Sequence, residues 1–144
     1  MSLPPLTSRI AITQIEDDIF ESGANPMLND HVFGGTTMAG SVAAAQATVA
    51  DHLNIHSYHA YFLRPGRSSE PIRYEVDRVR DGRSFCTRRV LAKQADEVIF
   101  ITSMSFQITE RGLSHQIDMG KVSGPDGLMN TEELEAFMPK EKMW

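Results

Sequence analysis

The sequence predicts an α+β domain: an antiparallel sheet wrapped around one long central helix. Three observations carry this. Residues 32–50 contain no charged side chain. The segments downstream alternate apolar and polar residues over strand-like lengths. Tight-turn signals, Asp81-Gly82 and Ala95-Asp96-Glu97, separate them.

The charge-free run is the organising element. A surface helix shows one polar face, and this run shows almost none. Its alanines favour a helix on intrinsic grounds. Gly34-Gly35 provides the turn that starts it. Its side chains are mostly Ala, Gly, Ser and Thr, so neighbouring backbone can approach closely, and the spacing predicts burial on nearly every side. A lipid-spanning reading is weak. Ser41, Gln46 and three threonines interrupt the run, and Asp51-His52 end it at about the minimum spanning length.

At 144 residues the chain is one domain by length, with an ordinary globular composition. A net charge of −5 argues against a general nucleic-acid binder. Arg80, Arg83, Arg88 and Arg89 form a local basic patch, which reads either as a solvated sheet face or as a site for a phosphate-bearing small ligand. Cys86 is the only cysteine, so an intrachain disulfide and a thiolate metal site are both excluded. It lies inside an expected strand and is read as a packing residue. The first thirteen residues lack a basic start followed by an apolar run, so no secretory signal is read there. The expected location is the cytoplasm, with no membrane partner.

In chain order, residues 1–8 hold two prolines and read as a loose arm. Residues 9–20 read as a first strand. The phase change from Ile10 and Ile12 to Ile15 and Ile19 suggests a bulge or bend. Residues 21–30, with Gly23, Asn25 and Pro26, form a loop before the helix. Residues 56–66 read as an aromatic-rich strand stopped by Pro65-Gly66. Ile72, Tyr74 and Val76 alternate with Arg73, Glu75 and Asp77, a half-buried strand. Residues 85–95 pair back. Residues 98–108 form the last strand, apolar on both faces in its first half. The expected order is strand, helix, then a four-strand meander. One sheet face and at least one edge stay uncovered, which predicts association of two copies, edge to edge and two-fold symmetric. Residues 110–128 read as a linker. Asn130-Thr131-Glu132-Glu133 reads as a helix cap, Leu134, Phe137 and Met138 as one apolar face, and Pro139 as the stop. The domain at residues 1–116 is thus followed by a linker and short helix at 117–144.

Particular residues carry a resemblance. They are Phe33-Gly34-Gly35; His56-Ser57-Tyr58-His59-Ala60-Tyr61-Phe62-Leu63-Arg64-Pro65-Gly66; Pro71-Ile72-x-Tyr74-x-Val76; Arg80-Asp81-Gly82-x-Ser84-Phe85-x-x-Arg88-Arg89-Val90; and Ser103-Met104-Ser105-Phe106-Gln107. In this order and spacing, over about residues 32–116, the chain resembles the N-terminal half of thioesterase II (TesB-type) acyl-CoA thioesterases. The linker with Pro125-Asp126-Gly127-Leu128 resembles that family's inter-domain segment. The resemblance implies a hotdog fold, a sheet around a central helix, and hydrolysis of acyl-CoA to free acid and CoA with no cofactor. Family members carry two hotdog halves, with catalytic Asp, Thr and Gln in the C-terminal one. By position the Gln falls near Ser105 and the Thr near Ile55. The Asp falls around residues 40–42, where no acid stands. No triad member carries over.

Thioester hydrolysis needs an activated water and donors for the developing oxyanion. Gly34, Gly35 and Thr36 offer backbone N–H groups and the positive end of the helix to a thioester carbonyl or a phosphate; a plain tight turn is the alternative. Asp30, beside His31, is a candidate base; the alternative is a helix-start charge beside a solvated ring. Ser105, which the resemblance puts at the position of the family's Gln, is the second catalytic candidate, to orient water; a hydroxyl that satisfies local polar groups is the alternative. His56 and His59, three apart on a strand, are expected on opposite faces, which argues against a shared metal; His59 joins the ligand-facing set, with packing inside the sheet as its alternative. Arg64 is expected at the CoA phosphates or in a surface ion pair. Phosphate-loop, dinucleotide and nucleophile-elbow motifs are absent, and no metal site is expected. Two functions follow. One is an acyl-CoA thioesterase acting as a homodimer or higher homo-oligomer, its acyl chain lying along the helix. The other is a non-catalytic acyl-CoA-binding or pairing subunit.

Overall fold

The computed structural model describes residues 6–24 and 30–136. The chain divides into two units, Met1–Glu110 and Arg111–Trp144. The first contains α1 (Leu6–Arg9), β1 (Ile12–Glu16), β2 (Ile19–Ser22), α2 (Gly34–Gln46), β3 (Leu53–Phe62), β4 (Ile72–Asp81), β5 (Phe85–Gln94) and β6 (Glu97–Ile108). The second contains α3 (Thr131–Glu135), where Asn130 accepts from Glu133 N at 2.9 Å and Glu133 returns the bond to Asn130 N at 2.8 Å. The expected capping box is therefore present. Of the expected loose arm, residues 1–5 lie outside the described residues, and Leu6–Arg9 is a single helical turn. Asn25, Pro26, Phe137, Met138 and Pro139 also lie outside them.

The six strands form one antiparallel sheet in the order β1-β2-β4-β5-β6-β3. Two expectations are corrected here. First, the single strand expected at residues 9–20 is a hairpin, β1 against β2. The phase change among the isoleucines marks a reversal of the chain. Asp18 makes the turn with φ 58°, a left-handed conformation that aspartate tolerates. Its carbonyl accepts from Val76 N at 2.8 Å, tying the turn to β4. Second, only three strands of the expected four-strand meander, β4-β5-β6, run as consecutive neighbours. β3 pairs with β6 along its whole length, from Leu53↔Ile108 to Phe62↔Phe100, and is an edge of the sheet. Alternation tells which residues share a face, and leaves the neighbouring strand unspecified.

The Asp18 turn makes acid stability testable. Arg78 Nε lies 3.0 and 2.9 Å from the two Asp18 carboxylate oxygens, and Nη2 lies 2.8 Å from Oδ1. These hydrogen bonds hold the Asp18 carboxyl below its ordinary range. The folded value is below the unfolded one, about 3.9. The stabilisation is therefore present above that value and lost as pH falls through the folded value. Asp18→Asn is expected to flatten the dependence of Tm on pH below about pH 4; an unchanged slope would show that the pair contributes nothing there.

α2 lies on the sheet through Thr37, Gly40, Ser41, Ala44 and Ala45. Burial on nearly every side was expected, but this chain covers one side of the helix. Ala39, Val42 and Ala43 are half-buried and Met38 is exposed. The sheet is open, with β1 and β3 at its two edges. Gly40 sits against the Tyr74 phenol: a Cβ there would overlap the phenol oxygen and lie 2.5 Å from Cζ. Small residues on α2 thus allow the sheet to come close, as its composition predicts.

The basic patch is dispersed. Cys86, Arg88, Val90 and Ala92 alternate onto the buried face of β5, which takes Arg88 inside at 1% exposure. Arg89 points the other way and meets Asp77 at 2.7 Å. Cys86 is buried, as expected, and burial pushes its thiol pKa up. Among the described residues no helix is long and apolar enough to cross a membrane.

Candidate functional site

The start of α2 is assembled from three segments. Leu63 N and Arg64 N both donate to Ile99 O, at 2.9 and 3.2 Å, which seats the β3–β4 loop on β6. Val32 N then donates to Gly66 O at 2.9 Å, and Ser68 N to Asp30 O at 2.8 Å. The residues leading into α2 are thereby laid along that loop.

A cleft of about 470 Å³ opens at this point, walled by Val32, Gly34, Thr37, Phe62, Ile99 and Phe100, with Arg64 and Pro65 on its rim. The Phe62 and Phe100 rings are 4.8 Å apart. A Cβ on Gly34 would lie 2.9 Å from Phe62 Cζ, so glycine leaves room for the ring. A bulge at the β5–β6 pairing turns Ile99 inward beside Phe100, which accounts for the doubly apolar first half of β6.

Among the described residues no side chain caps α2, and its first turn holds no acid. Thr36 N is used within that turn, donating to Phe33 O at 2.9 Å. Among the described residues, the donors left at the helix start are therefore the amides of Gly34 and Gly35, at the positive end of the helix dipole. Thr36 itself borders a smaller hollow with Phe33 and Ser22.

A polar groove adjoins the cleft and shares Arg64, Pro65 and Ile99 with it. It carries Asp30, Glu70 and Glu97 against Arg64 and Arg67. Three carboxylates outnumber two guanidiniums, so the groove does not by itself concentrate a polyanion. Arg64 Nη1 donates to Val98 O at 2.7 Å, while its Nε stands 3.9 Å from Glu97 in an exposed, loose pair.

The expected site residues do not converge. Gly34 and Arg64 meet at the cleft, Gly35 follows on the helix, and Asp30 borders the groove. His59 lies on the outer face of the sheet, opposite Ser103, with its ring 4.9 Å from Tyr61. Ser105 lies on that same outer face, and His56 Nε2 is 2.8 Å from its Oγ. Ser105 is eight residues along β6 from Glu97, about 26 Å at roughly 3.3 Å per residue. Asp30, at the Glu97 end, is thus far from it. The expectation that His56 and His59 face opposite sides is corrected as well. A bulge between Ile55 and Ser57 adds one residue to the count and brings both rings to the outer face. Among the described residues no three His, Cys, Asp or Glu side chains gather as a metal site.

The residues missed by sequence reasoning are the cleft walls Phe62, Thr37, Ile99 and Phe100. Their common signal was faint: Phe62 ends a strand whose partner, β6, was not legible.

Comparison with known proteins agrees with this architecture. Residues 22–107 match the family model described as the acyl-CoA thioesterase N-terminal domain. Acyl-CoA thioesterase 2 of Haemophilus influenzae is 37% identical over 117 residues, covering 81% of this chain and 41% of that protein. Acyl-coenzyme A thioesterase 8 of Mus musculus is 34% identical over 132 residues, covering 90% and 41%. The crystal structure of an acyl-CoA thioesterase II, TesB2, from Mycobacterium marinum superposes with a TM-score of 0.78 at 38% identity, covering 89% of this chain and 48% of that one. A hot dog fold protein from Alicyclobacillus acidocaldarius, at 23% identity and a TM-score of 0.70 over 83% of this chain and 46% of that one, shows the same fold. The fold is the expected hotdog. The chain spans about two-fifths of the length of the curated relatives it matches.

Proposed function

We propose, on the premise that this chain belongs to the acyl-CoA thioesterase family, that it binds an acyl-CoA thioester at the start of α2. It hydrolyses that thioester to free acid and CoA as a homodimer or higher homo-oligomer. The observation that carries this reading is the uncapped start of α2 opening at an apolar cleft. The acyl chain lies between Phe62, Ile99 and Phe100. The thioester oxygen meets the Gly34 and Gly35 amides, where negative charge builds as water attacks. Arg64 exchanges its loose contact with Glu97 for a phosphate of CoA. Asp30 takes the proton from the attacking water, the tetrahedral intermediate collapses with cleavage of the C–S bond, and the departing CoA sulfur takes that proton back. Ser105 and His59, on the other face, take no part. A second copy covers the open side of α2 and the free edge of β3, where Ile55, Tyr61, Phe62 and Leu63 are exposed. We assign residues 1–116 to the hotdog domain and 117–144 to the linker and helix, and place the reaction in cytoplasmic fatty-acid metabolism.

A second reading, a non-catalytic acyl-CoA-binding or pairing subunit, is favoured by one observation: α2 carries no acid along its length. One assay separates the two. The purified chain is given acyl-CoAs of short, medium and long chain length, and free thiol and binding heat are followed. Thiol release supports hydrolysis, binding without release supports the subunit, and neither signal overturns both. Asp30→Asn is expected to lower turnover by about 10²-fold or more; unchanged turnover would remove Asp30 from the mechanism.

A further inference from the structure

We infer that Gln94 is a positioning residue for the acyl-CoA site: its carboxamide fixes the loop at residues 64–70 and, through that loop, the start of α2. The inference rests on the reading of the site given above.

Gln94 ends β5 on the buried face, at 7% exposure. Its Oε1 accepts from Arg67 N at 2.8 Å. Its Nε2 donates to Arg67 O at 2.8 Å and to Glu70 O at 3.1 Å. The amide acceptor and both amide donors are thus spent on the backbone of one loop. A buried carboxamide engaged in this way has one orientation. The loop it holds is the one that Val32 and Asp30 bond to, through Gly66 O and Ser68 N. His31 and Arg67 form a β-bridge between the two segments. Gly66 lies close enough that a Cβ there would stand 3.2 Å from Gln94 Oε1 and 2.9 Å from Ile99 Cδ1. The line of contact therefore runs from Gln94 to Arg67, from Gly66 and Ser68 to residues 30–32, and on to Gly34. Gln94 borders the groove and not the cleft, so it acts on ligand through other groups.

Gln94→Met keeps the volume and removes all three bonds. Palmitoyl-CoA binding by calorimetry is expected to weaken at least tenfold, because a loop no longer held in place must be ordered as the ligand binds. Hydrogen exchange at the Val32 and Ser68 amides is expected to accelerate at least tenfold, while amides in the middle of β5 and β6 keep wild-type rates. Gln94→Glu supplies the discriminating readout. Near pH 8 its carboxylate faces two carbonyls and behaves like the methionine. Near pH 5 a buried carboxyl regains its proton, becomes donor and acceptor together, and recovers part of the affinity relative to the unsubstituted chain at the same pH. Equal palmitoyl-CoA affinity in Gln94→Met and the unsubstituted chain overturns the inference alone. Uniform acceleration of exchange through β4, β5 and β6, or no recovery of Gln94→Glu at acid pH, overturns it too and makes Gln94 a general core residue. Failure of the unsubstituted chain to bind palmitoyl-CoA overturns the site reading, and with it any role of Gln94 toward ligand.

Discussion

Arg88→Met is expected to destabilise the fold by about 3–5 kcal/mol, read as a lower urea midpoint at unchanged slope. Arg88 Nε donates to Thr48 Oγ1 at 2.8 Å and Nη2 to Thr48 O at 3.0 Å, so the guanidinium receives the chain as it leaves α2. Nη1 donates to Arg80 O at 3.1 Å and to Thr87 O at 3.0 Å. Nη2 also meets Asp81 Oδ1 at 2.5 Å. Methionine fills much of the space and leaves those oxygens without their donor, each a desolvation cost of about 1–3 kcal/mol if no water reaches it. Lysine does not rescue, because one ammonium cannot reproduce a planar fork spread over four residues. The ion pair itself is the smaller part. Asp81 is 60% exposed on its side chain, so Asp81→Asn is expected to cost under about 1 kcal/mol. An Arg88→Met chain within 1 kcal/mol of its parent would show that water replaces the guanidinium.

Gly40→Ala is expected to destabilise by about 1–3 kcal/mol, against the sign that helix propensity predicts. In an exposed helix the same change gains roughly 1 kcal/mol. Here the new methyl overlaps the Tyr74 phenol, which is fully buried and whose burial pushes its pKa up to about 12. Adding Tyr74→Phe relieves the oxygen contact but leaves Cζ at 2.5 Å, so the double variant recovers only part of the loss. Thermal and urea unfolding of the single and double variants give the sign directly. A more stable Gly40→Ala would mean that the sheet shifts away from α2 at little cost.

The charge-free run announced α2, because no charged side chain can be buried cheaply against a sheet. The Asp81-Gly82 and Ala95-Asp96 turns were legible from local residue type, whereas the Asp18 turn between β1 and β2 was not. Ala95 and Asp96 adopt φ 45° and 67°, where the residues between two alternating runs predicted a tight connection. Strand order was not legible, since period two names a face and says nothing of which strand lies alongside. Arg88 was misread by residue type, although its parity with Cys86, Val90 and Ala92 pointed inward. His56 was misread by parity itself, because one inserted residue changes the count and leaves no mark in composition. Of the residues singled out in sequence, Gly34 and Arg64 both line the cleft. The cleft walls were not legible, since Phe62, Ile99 and Phe100 meet only when β3 finds β6.

That last pairing has a temporal side. β3 is synthesised before its one strand partner among the described residues, β6, because Leu53–Phe62 precedes Glu97–Ile108 by two intervening strands. Between the emergence of β3 and that of β6, the nascent chain carries an unpaired aromatic-rich segment next to an apolar helix, a combination that invites misassociation during translation. Chaperone demand in the cell is therefore expected to peak after β3 has emerged and to fall once β6 has emerged.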